Sequence, residues 1–315
     1  MQATMLGPVC INPYQYLPSQ QTSKNSPLTC LAVPNGGYVA ACLIRAASLH
    51  LGPRGQPHAL TSHFSFLSRT NVGPAVIAID VVKNGRSLST LHVTLYQGGL
   101  LTAPPFITPG TSQKLVVGYI TMADLHAERG VTIPFQLPLY RPPPPQPDFA
   151  ALIAGRDAEW GPFVAGPGCP HPLITSLRNV QVFTPRGERM DKNLGDFWVR
   201  FAAGEGFTTE ALAFVMDCLP PHIVEGNRPA VGQSEPFEHD AVFWYPTVVM
   251  NIELKKAFPN PGGVEWLRLR LQSKQVRNGR LDFEVHAFDA NEDLVAIANN
   301  VTMIMSMARN QKGRI

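Results

Sequence analysis

Val276-Arg-Asn-Gly-Arg-Leu-Asp-Phe-Glu-Val-His-Ala-Phe288 is the stretch that decides the fold of this 315-residue chain. Apolar and polar residues alternate after its Asn-Gly pair, and the same alternation precedes it in Leu267–Gln272. Period-two alternation on both sides of Asn-Gly is a strong signal for two antiparallel strands joined by a tight turn. This part of the sequence therefore predicts a β-hairpin with one buried face.

The chain contains the pattern twice. Val82–Leu95 repeats it, with Asn84–Arg86 at the place of Asn278–Arg280 and His92 at the place of His286. A single repeat at so long a spacing is not a solenoid, which shows several short periods. The sequence therefore predicts two similar domains in tandem, each with a long antiparallel strand pair.

Each half also contains one apolar helix. The Ala-rich run Tyr38–His50 predicts a buried helix that ends at Gly52-Pro53, and Ala211–Leu219 predicts a second one, capped by Thr and ended by Pro220-Pro221. Each helix is followed by a meander, so the fold class is α+β: a tandem double hotdog, two antiparallel sheets each wrapped around a central helix. Strands are expected at 58–68, 74–83, 87–96, 114–121, 197–201, 245–254, 265–276, 281–289 and 294–305.

The predicted domains are 1–133, the N-terminal hotdog with a lead-in that is irregular to about residue 28, and 180–315, the C-terminal hotdog with the site. Residues 134–179 between them are a proline-rich linker. Leu139–Pro147 carries four successive prolines, which cannot join a sheet and indicate an extended polyproline spacer.

Composition excludes several classes of protein. A net charge of +3 with scattered Lys and Arg does not fit nucleic-acid binding. Five cysteines without a CxxC motif predict neither a disulfide framework nor a metal site, and no cofactor motif is present. No stretch is long and apolar enough for a membrane span, and no signal peptide is apparent, so we expect a cytoplasmic protein. The charged fraction of 16% leaves apolar surface for a pocket, an inter-domain seam or a homodimer contact through the sheets.

The chain resembles the thioesterase-like double-hotdog proteins, the group that includes acyl-CoA thioesterase II. The resemblance covers nearly the whole chain from about Leu31, apart from the proline-rich middle, and rests on the order and spacing of several motifs. These motifs are Asn35–Ala40, His63–Leu67, Val82–Ser89, Leu212–Leu219, Pro246–Val248, Glu265–Leu267 and Leu294–Ala296.

The resemblance implies an active site in the second hotdog. In such thioesterases an Asp on the central helix, a Thr or Ser on the next strand and a Gln on the last strand hold the hydrolytic water. These positions fall on Asp217, Thr247 and Asn300, or on Asn299 if the register slips by one residue. Asn in place of Gln is a departure, because it is one methylene shorter, although it still supplies a donor and an acceptor.

The residues themselves support part of this assignment. A carboxylate in an apolar helix is costly unless it is paired or functional, although Asp217 could instead face solvent near the end of the helix. Thr247 is equally typical of an ordinary β-branched strand residue. Asn299 and Asn300 are adjacent on a strand, so one of them points inward and needs hydrogen-bond partners.

Four further residues are candidates for substrate binding. His63 lies on a first-half strand, and His239 lies in a loop that leads to Trp244 and Tyr245. A loop that mixes titratable and aromatic residues ahead of a site strand can line the mouth of a pocket, although a solvated loop is equally compatible. Cys218, beside Asp217, is expected to be buried and unreactive.

Three functions remain open. The first is hydrolysis of an acyl thioester with Asp217 as base and the amides of a helix N-terminus polarising the carbonyl. The second uses the same cavity for a cyclase or pericyclase (Diels-Alderase-like), dehydratase or isomerase reaction on a polyketide or terpenoid. The third is a non-catalytic acyl-binding protein. The expected partner in every case is a small molecule.

Overall fold

The computed structural model of the protein describes residues 34–133, 142–164, 179–187, 191–219 and 221–306, and the backbone alone for 4–11. The helices are α1 (Gly36–Leu51), α2 (Phe149–Ile153), α3 (Ala211–Val215) and α4 (Pro221–Gly226). The strands are β1 (Thr4–Ile11), β2 (His58–Phe66), β3 (Gly73–Lys83), β4 (Ser89–Gln97), β5 (Gln113–Ala123), β6 (Trp160–Pro162), β7 (Val180–Pro185), β8 (Leu194–Phe201), β9 (Phe243–Trp244), β10 (Thr247–Leu254), β11 (Leu267–Gln272), β12 (Val276–Arg277), β13 (Arg280–Phe288), β14 (Leu294–Met303) and β15 (Met305–Ser306).

The two halves have the same strand order, written in opposite directions. The first half runs β1-β3-β4-β5-β2 and the second runs β10-β14-β13-β11-β8. Their edge strands β2 and β10 pair antiparallel, with Phe64 opposite Met250, so the two sheets continue into each other. This confirms the tandem double hotdog, built as one 13-stranded sheet that β7 and β6 extend beyond β8.

The two central helices meet inside the fold. Helix α1 packs on β2 to β5 and against α3, and one hydrophobic core runs through both halves. The contact depends on Gly37, because a Cβ there would lie only 2.2 Å from the carbonyl oxygen of Ala213. Close packing of α1 on α3 brings the first half of the chain to the predicted site in the second.

The repeated Asn-Gly pairs form different turns. Asn278 and Gly279 both have positive φ, 51° and 74°, and close the predicted two-residue turn between β12 and β13. Gly85 has no such conformation; its N–H donates to Ser89 Oγ over 3.2 Å, and Gln56 Nε2 donates to its carbonyl over 2.9 Å. The prediction of a tight turn in the first copy is therefore wrong. Contacts with residues outside the hairpin hold residues 84–88 as a five-residue loop instead.

Two further predictions of secondary structure need correction. The lead-in is not irregular throughout, because β1 pairs with β3; the shift in its register between Leu6 and Val9 hides the alternation in the sequence. The helix predicted over 211–219 ends at Val215, and Asp217 and Cys218 follow it in a tight turn. Their N–H groups bond to carbonyls three residues back, at Phe214 and Val215.

The outer face of the second sheet is covered. Arg268 and Arg270, which the alternation predicts on the solvent side, are 1% and 6% exposed and share Asp196 between them. An aromatic cluster covers this face: Phe149 of α2, Trp160 of β6, Phe183 of β7, Trp198 of β8, and Trp266, which precedes β11. Residues 142–164 of the predicted linker therefore pack on the second half, whereas 134–141 and 165–178 lie outside the described residues. The domain boundaries stay predictions.

In the part of the chain that the structure describes, no helix has the length and the apolar character needed to cross a membrane.

Candidate active site

The carboxylate of Asp217 is the centre of the site. The residue is 2% exposed and lies in the turn after α3. Its Oδ2 accepts the N–H of Gly37 over 2.7 Å, from the first turn of α1. The positive end of a helix stabilises a negative charge, so the first half of the chain supplies part of the site that holds the second half's carboxylate.

Thr247 is the second member of the site. Its hydroxyl donates to both carboxylate oxygens of Asp217, over 3.0 Å to Oδ1 and 3.1 Å to Oδ2. A bulge in β10 places it there: the register jumps between Thr247 and Val249, and Val248 is left 38% exposed. Strict alternation from the buried Met250 would have turned Thr247 to the other face of the sheet.

Asn35 ties the start of α1 to the same turn. Its side-chain oxygen accepts the N–H of Tyr38 over 3.1 Å and so caps the helix, and its Nδ2 donates to the main-chain carbonyl of Asp217 over 3.3 Å. Asn35, Gly36 and Thr247 are half-buried. They form the side on which the site approaches solvent.

Burial dominates the protonation of Asp217. It raises the pKa of the carboxyl from its usual 3.8 to about 7. Hydrogen bonds from Gly37, Thr247 and Asn35 act in the opposite direction, because they favour the charged form. At neutral pH both forms of the carboxyl are populated, as suits a group that takes up and releases a proton.

The two adjacent asparagines point to opposite faces of β14. Asn300 is 2% exposed, and its Nδ2 donates to the carbonyl of Met216 over 3.3 Å, in the turn that holds Asp217. Asn299 is exposed on the outer face. The structure therefore brings Asp217, Thr247 and Asn300 together, and leaves Asn299 apart from them.

The other predicted binding residues do not share this position. His63 is exposed on the outer face of the sheet, where its Nδ1 lies 2.7 Å from Asn251 Oδ1 in a groove of about 340 Å³. His239 lies 2.8 Å from the carbonyl of Pro229, within its own loop. Trp244 is half-buried in β9, and Tyr245 is 9% exposed, two residues before Thr247.

Cys218 has no features of a nucleophile. Burial, and the neighbouring carboxylate of Asp217, raise the pKa of its thiol well above the ordinary value. Its sulfur donates to the carbonyl of Phe214 over 3.1 Å. Among the described residues, His, Cys, Asp and Glu side chains nowhere form a group of three that could hold a metal ion.

The sequence reasoning missed two residues at this site. Gly37 contacts Asp217 from the other half of the chain, although the Asn35-Gly-Gly run before an apolar helix already indicated a helix start close to other backbone. Thr302 is 0% exposed on β14 and pairs across the sheet with Thr247. In the sequence Thr302 follows Asn300 by two residues, a spacing that places both side chains on the same face of a strand.

Comparisons with known proteins agree with this architecture. Two protein-family models match the chain: the acyl-CoA thioesterase N-terminal domain at residues 25–123 and the acyl-CoA thioesterase C-terminal domain at residues 143–304. The second match contains Asp217, Thr247 and Asn300.

One curated relative and two solved structures are similar to the chain. The thioesterase-like protein TwmA from Talaromyces wortmannii is 40% identical over 300 residues, which cover 89% of this chain and 86% of that protein. A putative thioesterase II from Thermobifida fusca has a TM-score of 0.62 at 24% identity, covering 96% of this chain and 95% of that one. A hot dog protein of unknown function from Alicyclobacillus acidocaldarius has a TM-score of 0.64 at 18% identity, covering 88% and 89%. These two structures support the fold alone.

Proposed function

The chain belongs to the acyl-CoA thioesterase family, and on that premise we propose that it hydrolyses an acyl thioester with Asp217 as general base. The observation that carries this proposal is the buried carboxyl of Asp217, with a pKa of about 7, held between Thr247 and the N-terminus of α1.

The hydrogen bonds of the carboxylate leave room for a water molecule. A carboxylate offers about four acceptor positions; Oδ2 accepts the Gly37 N–H, the Thr247 hydroxyl is shared between both oxygens, and the Asn35 side chain also favours the charged form. In this proposal Oδ1, which does not accept the Gly37 N–H, is the atom that takes the proton of the water. The water oxygen forms a bond to the thioester carbon, the carbon–sulfur bond breaks, and the proton passes from Asp217 to the departing thiolate.

Asn300 supports the turn that carries Asp217. Its Nδ2 is engaged by the Met216 carbonyl, so the part of the amide left for the reacting groups is Oδ1. In this proposal Asn300 takes the place of the Gln expected from the family resemblance.

Thiol release from a panel of acyl-CoA substrates of increasing chain length tests the proposal. The wild-type protein is expected to release thiol from at least one of them, and Asp217→Asn to be slower by about 10²- to 10⁴-fold, as for loss of a general base. Asp80→Asn is the matched control, because that carboxylate is 43% exposed and pairs with His92 on the first sheet. No thiol release from any substrate would contradict hydrolysis.

A second candidate function is suggested by the hydrogen bonds of the amides at the N-terminus of α1. The amides of Gly37, Tyr38 and Val39 all have protein acceptors, so these three do not supply the carbonyl-polarising amides expected from the sequence. An Asp217 that is partly protonated at neutral pH suits a dehydratase, isomerase or cyclase acting on a polyketide or terpenoid. Conversion of such a substrate without thiol release, lost in Asp217→Asn, would favour this candidate. Binding without turnover would indicate an acyl-binding protein.

A further inference from the structure

Two buried polar atoms on the inner face of β14 have no hydrogen-bond partner among the described residues. They are Oδ1 of Asn300 and Oγ1 of Thr302, on residues that are 2% and 0% exposed. The two side chains are two positions apart on one strand, so they point to the same face. Most buried polar side-chain atoms in proteins are paired, and two exceptions side by side call for a functional explanation.

The orientation of Asn300 is fixed by its one partner. Nδ2 donates to the carbonyl of Met216, whereas the flipped amide would set two acceptors against each other. Oδ1 is therefore the free end of the amide. Because Met216 precedes Asp217, this hydrogen bond holds the Asn300 side chain against the turn that carries the carboxylate.

Thr302 is placed across the sheet from the other member of the site. It is directly opposite Thr247, whose hydroxyl donates to Asp217. Facing side chains on paired strands have Cβ atoms about 5 Å apart, a gap that one water molecule bridges. The unpaired hydroxyl of Thr302 thus lies beside Thr247 and two residues along β14 from Asn300.

We propose that Thr302 contacts the reacting water: its hydroxyl and the Asn300 oxygen together hold this water against the carboxylate of Asp217. This inference rests on the proposed function. The water donates one hydrogen to Asp217 Oδ1 and the other to Asn300 Oδ1, and it accepts the hydroxyl hydrogen of Thr302. One lone pair is left for attack on the thioester carbon. Both anchoring atoms are closed to bulk solvent, so they bind a single enclosed molecule.

The test compares Thr302→Val with Thr302→Ser. Val keeps the shape and removes the hydroxyl; Ser keeps the hydroxyl. We expect kcat to fall about 10- to 100-fold in Thr302→Val with KM within about two-fold, and to stay near wild type in Thr302→Ser. Thr302→Val is also expected to melt at or near the wild-type temperature, because the hydroxyl that it removes is buried without a protein partner. Thr94→Val, at a 3% exposed threonine on β4, is the control.

A readout without substrate separates this inference from the proposed function. Asp carboxyl ¹³C titration is expected to show a higher pKa for Asp217 in Thr302→Val than in wild type or Thr94→Val, because a bound water stabilises the charged form. An unchanged pKa together with unchanged kcat overturns the inference, while absence of thiol release in the wild type overturns only hydrolysis. If Thr302→Val does not fold, Thr302→Ala against Thr302→Ser gives the same comparison of hydroxyl and no hydroxyl.

Discussion

Asp217 is the proposed general base of this protein, and its neighbours set its charge. Burial favours the protonated carboxyl, whereas the Gly37 N–H and the Thr247 hydroxyl favour the carboxylate. The result is a pKa of about 7, so small changes in these donors shift the balance near neutral pH. Both predictions at the residue scale use this balance.

Activity is expected to follow the deprotonation of Asp217. As the proposed general base it would work as the carboxylate, so kcat/KM is expected to rise with pH through about 7 and to be level above. Thr247→Val removes a donor to the carboxylate, and the midpoint moves to higher pH, while Thr247→Ser keeps the wild-type profile. A pH–rate series on the three proteins measures this. A midpoint that Thr247→Val leaves in place would contradict the role given to the hydroxyl.

Stability is expected to depend on pH with the opposite sign. The folded-state pKa of about 7 is above the ordinary 3.8, so between these values the folded protein binds more protons than the unfolded chain. The contribution of Asp217 to stability is therefore fully present below about pH 4 and is lost as pH rises through 7. Asp217→Asn removes this loss. The free energy of unfolding of the variant relative to wild type is therefore expected to increase between about pH 4 and pH 7, by on the order of 4 kcal/mol at most.

Urea unfolding of Asp217→Asn and wild type at several pH values measures the difference. Asp80→Asn, at a partly exposed carboxylate on the first sheet, is the control. A difference in the free energy of unfolding that is constant with pH would mean that Asp217 does not titrate between about pH 4 and pH 7.

At the scale of elements, the contact between α1 and α3 positions the site. The first turn of α1 touches both Asp217 and the backbone of α3, because Gly37 has no side chain. Two elements from different halves of the chain therefore share one hydrogen-bond network, and the spacing between them fixes its geometry.

Gly37→Ala is expected to disturb both stability and activity. The new Cβ would lie 2.2 Å from the Ala213 oxygen and 2.6 Å from Asp217 Cβ, so the helices must separate. Overpacking of this kind costs about 1–3 kcal/mol. Gly52→Ala is the control: it ends the same helix in a right-handed conformation, with Pro57 Cβ, at 3.9 Å, the nearest atom. Chemical denaturation and thiol release measure the stability and the activity of the two variants. Equal stability and equal activity of Gly37→Ala and Gly52→Ala would refute the packing argument.

At the scale of the whole molecule, the two halves share a core but differ on their outer faces. The second sheet is covered by the aromatic cluster, in which Phe149 stacks on Trp266 at 4.6 Å and Trp160 Nε1 donates to the Pro145 carbonyl over 2.8 Å. The first sheet exposes His63 and Tyr119. The cluster lies on the face opposite Asp217, so we expect it to contribute to stability and not to the proposed chemistry.

Trp160→Ala is expected to destabilise the protein without changing its reaction. Trp160 is 0% exposed, and truncation of a buried Trp costs about 3–5 kcal/mol. Well below the melting temperature, kcat is expected to stay within about two-fold of wild type, since the site is on the other face. Ile153→Ala, at a 52% exposed residue of α2, is the control for stability. A large fall in kcat in the folded variant would show that the covering segment reaches the site.

Much of this molecule could be predicted from the sequence because the information was local. The alternation around Asn278-Gly279 gave the hairpin, and its second copy gave the tandem hotdog. The apolar run over 38–50 gave α1. Local patterns failed where a distant partner intervened, as at Arg268, which a covering cluster buries, and at Gly85, whose loop contacts Gln56.

By itself, then, the sequence determined most of the strands and the duplicated plan, because periodicity and turn chemistry act between neighbouring residues, whereas the candidate trio was implied by the family resemblance. Only the tertiary structure decided that Thr247 faces Asp217, since the bulge at Val248 reverses the alternation. It alone placed Gly37 and Thr302 at the site and set His63 and Asn299 on the other face. The physical reason is that burial, which raises the pKa of Asp217, is a property of all elements packed around it and of no single stretch of chain.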